Sequence, residues 1–143
     1  MGIFSILWRL WFYTSVFIAI VILFPFIWVT AQTDSRYRAF FNYSRIWAKM
    51  VLYLSGFIYY CDWEQRPNKD QPYIICPNHT SMIDIMLTLA LFYNCFVFIG
   101  KKELASLPLF GYFYRKTNLL VDRRSLSSRK EVMDKARRKL EED

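Results

Sequence analysis

The stretch Asn78-His79-Thr80-Ser81-Met82-Ile83-Asp84 holds the one histidine of the chain, with a carboxylate five residues further on. Imidazole is the side chain whose ordinary pKa lies nearest neutrality, so any proton transfer near pH 7 centres on His79. On a continuous helix, at about 100° per residue, positions five apart point away from each other. The two meet only if the histidine precedes the helix. The neighbouring residues predict that arrangement: Tyr73-Ile74-Ile75-Cys76 reads as a short buried strand, Pro77 stops it, and Ser81 is a candidate N-cap with Asp84 at the third helical position. Asp84 can then accept the Nδ1–H of His79, fix its tautomer and stabilise its charged form, leaving Nε2 as a general base. The spacing also has a plainer meaning. Ser81-x-x-Asp84 is a capping-box pattern, worth about 1 kcal/mol as a helix start, and spacing alone favours that reading.

The elements that must carry this pair begin with a membrane anchor. Leu10 to Ala31 carry no charge and are dominated by Trp, Phe, Ile, Val and Leu. That run reaches roughly 33 Å as a helix, enough for the hydrocarbon core of a bilayer. It is too long and aromatic for a signal-peptide core and lacks a clear small-residue cleavage site. Pro25 is expected to kink it, which leaves open whether the anchor spans or dips into one leaflet. Only Arg9 precedes the anchor, whereas Arg36, Arg38, Arg45 and Lys49 follow it, so the positive-inside tendency puts the remainder in the cytoplasm. In the next segment Phe40, Trp47, Val51, Leu54 and Ile58 share a helical stripe, with Arg38, Arg45 and Lys49 nearly opposite. This predicts an interfacial amphipathic helix lying on anionic headgroups. Residues 1–58 are thus read as anchor and interfacial helix, and 59–143 as a separate domain.

Composition points the same way. The chain is 55% hydrophobic and 20% aromatic yet carries a net charge of +7. With an anchor present, that balance suits a lipid surface and not nucleic acid. Cys61, Cys76 and Cys95 are single and widely spaced, which fits neither a disulfide framework nor a metal site, and Cys76 is expected to pack in its strand. Beyond the turn-rich residues 62–71, strands are expected at Tyr73–Cys76, Cys95–Ile99 and Asn118–Val121. Helices are expected at Ser81–Leu91, near Lys102–Leu107 and from Ser128 onward. Such alternation predicts an α/β layer with a largely parallel sheet. Arg123 ends one of these strands, where ligands of α/β sheets commonly sit, and a guanidinium can grip a phosphate with two bonds. Arg115, Lys116 and Arg124 read as a solvated charged face.

Three blocks in order carry a family resemblance. Residues Asn78 to Asp84 match an N-H-x4-D motif. Gly100-Lys101-Lys102-Glu103-Leu104 is followed by Pro108, Phe110 and Gly111, and Leu119-Leu120-Val121-Asp122-Arg123 is similar to a hydrophobic-x-x-Arg motif. Together with the anchor they resemble the N-terminal part of the lysophosphatidic acid acyltransferase family, membrane-bound 1-acylglycerol-3-phosphate O-acyltransferases of the glycerolipid acyltransferase superfamily. The resemblance implies the first half of that superfamily's α/β domain. It implies that His79 takes a proton from the free hydroxyl of a lysophospholipid as it attacks an acyl thioester, with Asp84 orienting His79 and no acyl-enzyme. Acyl-CoA or acyl carrier protein would be a cosubstrate, with no bound cofactor and no metal. Arg123 would bind the acceptor's phosphate and Lys101 would share that surface, while Asn78, Ser81 and Gly111 support the motifs. The product would be phosphatidic acid, made at the bacterial inner membrane or an equivalent. Another lysophospholipid or glycerol 3-phosphate are alternative acceptors.

One family motif has no counterpart: a Glu-Gly-Thr-Arg run after Phe-Pro, expected beyond the last helix. The expectation is therefore an incomplete domain, whose activity calls for a C-terminal part. A membrane-bound remnant that binds lipid or a partner without turnover is the alternative from another class.

Overall fold

The computed structural model describes residues 2–68, 70–108 and 110–142, apart from the side chains of Asp34 and Glu142. The chain divides into two compact units, residues 1–67 with 76–94, and residues 68–75 with 95–143.

The first unit is helical. α1 (Ile3–Thr30) runs through Pro25 as one helix about 42 Å long, apolar enough and long enough to cross a membrane. Its buried stripe of Phe12, Ser15, Ala19, Leu23 and Ile27 recurs at three- and four-residue steps, and the small Ser15 and Ala19 let a neighbouring backbone approach closely. The rest of its apolar surface, such as Phe4, Leu7, Phe17 and Ile22, is exposed. After a 3₁₀ turn at Asp34–Arg36, α2 (Tyr37–Leu54) returns antiparallel along α1. The direction is fixed by contacts at both ends: Phe26 stacks on Tyr43, while the indole N–H groups of Trp8 and Trp11 donate to the carbonyls of Ser55 (3.3 Å) and Leu54 (2.7 Å). α2 stops because Gly56 adopts φ +80°, which lets Phe57 N–H reach the Leu52 carbonyl and Gly56 N–H reach that of Tyr53. Those two bonds close the helix as a Schellman cap.

Two expectations change here. The apolar stripe of α2 was to lie on headgroups, but Phe40, Trp47 and Val51 are buried, and the helix packs against α1 and against α3 (Ile83–Leu91). Leu54 and Ile58 are exposed, and Ile58 falls beyond the Gly56 stop. Tyr73–Cys76 is also not a strand: the segment has no ladder partner among the described residues, and Ile74 and Cys76 are exposed instead of buried. A strand exists only through its neighbour, and the flanking Pro72 and Pro77 each remove a donor that a ladder would need.

The second unit contains a parallel pair, β1 (Ile99–Lys101) and β2 (Leu119–Val121), in register Ile99↔Leu119, Gly100↔Leu120 and Lys101↔Val121. Pairing starts at Ile99, later than the expected Cys95, with Asn118 Oδ1 accepting from Phe98 N–H and the Phe98 carbonyl accepting from Leu119 N–H. The crossover that a parallel pair requires is supplied by a 3₁₀ helix, Lys102–Ser106, and by α4 (Phe110–Thr117). α5 (Leu126–Glu142) follows and packs on β2. The described residues are therefore mostly helical with a two-stranded parallel sheet, in place of a broader α/β layer.

Glycine sets the packing in this unit. A Cβ at Gly100 would lie 1.7 Å from the hydroxyl of the buried Tyr114, and one at Gly111 would lie 2.2 Å from the Ala105 carbonyl oxygen. Tyr114 thus rests directly on β1, and α4 directly on the 3₁₀ turn.

Candidate active site

Loop 78–84 belongs to the first unit, between Pro77 and the first turn of α3. α3 begins at Ile83, one residue later than a Ser81 N-cap would give. Half of the capping box forms. Asp84 Oδ2 reaches back to accept from Ser81 N–H and Thr80 N–H, each at 2.7 Å, while Ser81 Oγ accepts from Ile83 N–H at 3.3 Å. Ser81's carbonyl accepts from Asp84 N–H, and Thr88's hydroxyl donates to the Asp84 carbonyl, so the residue is held on both sides.

The same oxygen that caps the helix faces His79: Nδ1 lies 3.2 Å from Asp84 Oδ2. His79 is outside the helix, as the five-residue spacing requires, and its side chain is 54% exposed against 21% for Asp84. The Ser81 and Thr80 amides, helped by His79, hold the Asp84 carboxyl below the usual aspartate range. It is therefore an anion near neutrality. An anion fixed there assigns the proton to Nδ1 of the neutral ring and leaves the lone pair on Nε2. The pair has the geometry of a base and its orienter. The oxygen that takes the two amides is the one that faces Nδ1, so the cap and the His79–Asp84 contact coexist on one carboxylate oxygen.

The other expected residues fall as follows. Asn78 is an exposed loop residue beside His79. Lys101 ends β1 with its ammonium 3.6 Å from Glu103, an exposed pair. Arg123 lies two residues past β2, exposed, in a turn where Asp122 Oδ1 accepts from Arg124 N–H. Lys101 and Arg123 therefore follow the same end of the parallel pair in the second unit. Burial raises the Tyr114 phenol, with Arg123 opposing and Glu103 adding, which puts the Arg123 charge within reach of that ring. Gly111 serves packing. Arg115 and Lys116 are more than a solvated face, since Arg115 donates to the Ala105 carbonyl and Lys116 lies over the Tyr112 ring.

Sequence reasoning missed the amides of Thr80 and Ser81, which do more than the imidazole to hold the carboxylate ionised. The capping-box pattern was their available signal. It also missed that Trp8, Arg9 and Tyr13 stand against Ser81, Met82 and Ile83. No local pattern reports such a contact across the chain. Among the described residues, no three His, Cys, Asp or Glu side chains are placed to share a metal ion.

Compared with models of protein families, residues 59–143 match one described as Acyltransferase. Comparison with curated proteins and with solved structures gives no match.

Proposed function

The chain belongs to the acyltransferase family, and from that premise we propose that it transfers an acyl chain from acyl-CoA or acyl carrier protein to the sn-2 hydroxyl of lysophosphatidic acid, giving phosphatidic acid. The observation that carries this reading is the 3.2 Å contact of His79 Nδ1 with an ionised Asp84, which leaves Nε2 open at an exposed loop. His79 Nε2 accepts the hydroxyl proton as the acceptor oxygen bonds to the thioester carbonyl carbon. The tetrahedral adduct then collapses with cleavage of the C–S bond, and the leaving thiolate takes the proton back from the imidazolium. Atoms balance without an acyl-enzyme, and the base returns to its starting state. Two substrates held in register at a membrane surface lower the barrier further, because both bring acyl chains that the bilayer already seats.

Arg123 takes the acceptor's phosphate, with Lys101 contributing once it is released from Glu103, and α1 anchors the protein at the membrane on the cytoplasmic side. The test is direct. Protein in detergent or nanodiscs is given lysophosphatidate and acyl-CoA, and free thiol is followed. Thiol release that requires the acceptor and falls by about 10²–10⁴-fold in His79→Ala supports the proposal. Release unaltered in His79→Ala would refute it.

A further inference from the structure

Beside loop 78–84, within the first unit, lies an open cleft of about 280 Å³, walled by Trp8, Arg9 and Tyr13 of α1 and by Ser81, Met82 and Ile83. The last three are among the four residues between His79 and Asp84, so the cleft lies beside the loop that carries the dyad.

Arg9 is the unusual member of this wall. It is the only charged residue between Ile3 and Thr30. It stands at the head of the uncharged run that begins at Leu10, where a guanidinium can meet water or the anionic part of a lipid. Arg9 is exposed and has no acidic partner among the described residues. The remaining walls are mostly aromatic or aliphatic, with hydroxyls from Ser81 and Tyr13. A guanidinium between such walls matches a molecule with one compact anion and an apolar body.

Size narrows the choice. At about 280 Å³ the cleft stands at the small end of ligand sites, with room for a headgroup and not for a long chain as well. The chain has somewhere else to go. Tyr13, Phe17 and Val21 follow at four-residue steps on one face of α1, all exposed, and form an apolar track leading away from the cleft.

We propose that this cleft holds the phosphate of a membrane-borne monoacyl glycerophospholipid on Arg9, with the chain along α1 and the free hydroxyl toward His79. The identity of that lipid as the acceptor rests on the acyl-transfer reading. A phosphate monoester has three terminal oxygens, each able to accept more than one bond, so a single guanidinium leaves acceptor sites on it free.

The experiment uses the full chain in phosphatidylcholine nanodiscs. Binding of labelled long-chain lysophosphatidate is measured to the wild type, Arg9→Gln, Arg9→Lys and a catalytically silenced His79→Ala protein, and initial rates are measured where turnover exists. Arg9→Gln is expected to weaken binding and raise KM about tenfold or more, with kcat at saturation moving much less. Arg9→Lys is expected to recover part of that loss, and a long-chain monoacylglycerol, which lacks the phosphate, is expected to bind both proteins alike. Glycerol 3-phosphate in solution is expected to compete poorly, since the apolar track offers it nothing.

Unchanged lysophosphatidate binding in Arg9→Gln overturns the proposal, as does an equal loss for monoacylglycerol, which would mark Arg9 as packing. Strong competition by glycerol 3-phosphate overturns the membrane-borne part. The binding arm with His79→Ala keeps the two readings apart. Arg9-dependent binding without turnover in any protein sinks acyl transfer alone, whereas turnover indifferent to Arg9→Gln sinks only this inference.

Discussion

The chain approaches α3 and α5 through turns in which aspartate and serine side chains accept backbone N–H groups. Before α3, the Asp84 carboxylate takes the Thr80 and Ser81 amides and the Ser81 hydroxyl takes that of Ile83. Before α5, the Asp122 carboxylate takes the Arg124 amide, the Ser125 hydroxyl takes the Ser128 amide, and the Ser128 hydroxyl takes the Asp122 amide. Both satisfy donors that the chain would otherwise leave unpaired at a helix start. The difference is one neighbour: Asp84 Oδ2 also faces an imidazole nitrogen, and the chain's single imidazole is at His79. The α3 cap thus has a second titratable group on its acceptor oxygen, on which the proposed chemistry rests. The two regions also differ locally, with hydrogen bonds fixing loop 78–84 and glycine permitting close contacts at Tyr114 and Ala105.

The largest effect should separate the two aspartates. Asp84→Asn keeps a carbonyl oxygen for the Thr80 and Ser81 amides but removes the charge that steadies the imidazolium. It is expected to lower kcat/KM by about 10²–10⁴-fold while the thermal unfolding midpoint moves little. Asp122→Asn is the same chemical change in the other turn, and its effect on rate should be far smaller. Equal losses from both would end the distinction between capping and catalysis drawn above.

A smaller effect tests the packing side of the contrast. Gly111→Ala places a methyl where the Ala105 carbonyl oxygen already sits, and a backbone atom cannot swing aside as a side-chain tip can. Destabilisation of about 1–3 kcal/mol is expected in denaturant unfolding. Gly56→Ala puts its methyl into open space, so its cost comes only from the positive φ, about 1 kcal/mol. A Gly111→Ala protein as stable as the wild type would mean that the contact is not a constraint.

How much of this the residues announced depends on the range of the interaction. The dyad was legible because its geometry is local: five residues, a proline before them and a capping pattern settle that His79 stands outside the helix while Asp84 stands within it. The long apolar helix α1 and the approximate positions of α3 and β2 were legible for the same reason, as runs and periodicities of a few turns. Tyr73–Cys76 misled because an apolar run specifies an extended chain and not a partner for it. The stripe of α2 was read correctly as apolar at Phe40, Trp47 and Val51, but a stripe does not say whether lipid or protein covers it, and here α1 and α3 do. Its end at Gly56 was written in the chain, since a glycine past a periodic run is a stop signal, and extending the stripe to Ile58 overlooked it. The wall that Arg9 shares with Ser81 joins residues some seventy positions apart, which no window of sequence contains.

Ser128→Ala sharpens the comparison from the α5 side. Its hydroxyl accepts from Asp122 N–H at 3.0 Å, so removing it frees a donor in the turn that carries Arg123. A loss of about 1 kcal/mol is expected, seen as faster amide exchange in the first turn of α5. Exchange unchanged there would show that water replaces the hydroxyl without cost.

The smallest effect is a titration. Because the Ser81 and Thr80 amides and His79 favour the ionised form, the Asp84 carboxyl in the folded protein lies below the ordinary 3.8. A depressed folded value contributes stability that is complete above the unfolded-chain value and is lost as the pH falls through the folded one. The loosening of the α3 approach is therefore expected only on the acid side, beneath the usual carboxylate range. The amide protons of Thr80 and Ser81, followed by NMR between pH 6 and pH 2, should move together with a midpoint under 3.8, and the step should vanish in Asp84→Asn. A midpoint for the Thr80 and Ser81 amides at or above 3.8 would mean that their hydrogen bonds do not favour the anion, leaving His79 beside a carboxylate with no special claim on its proton.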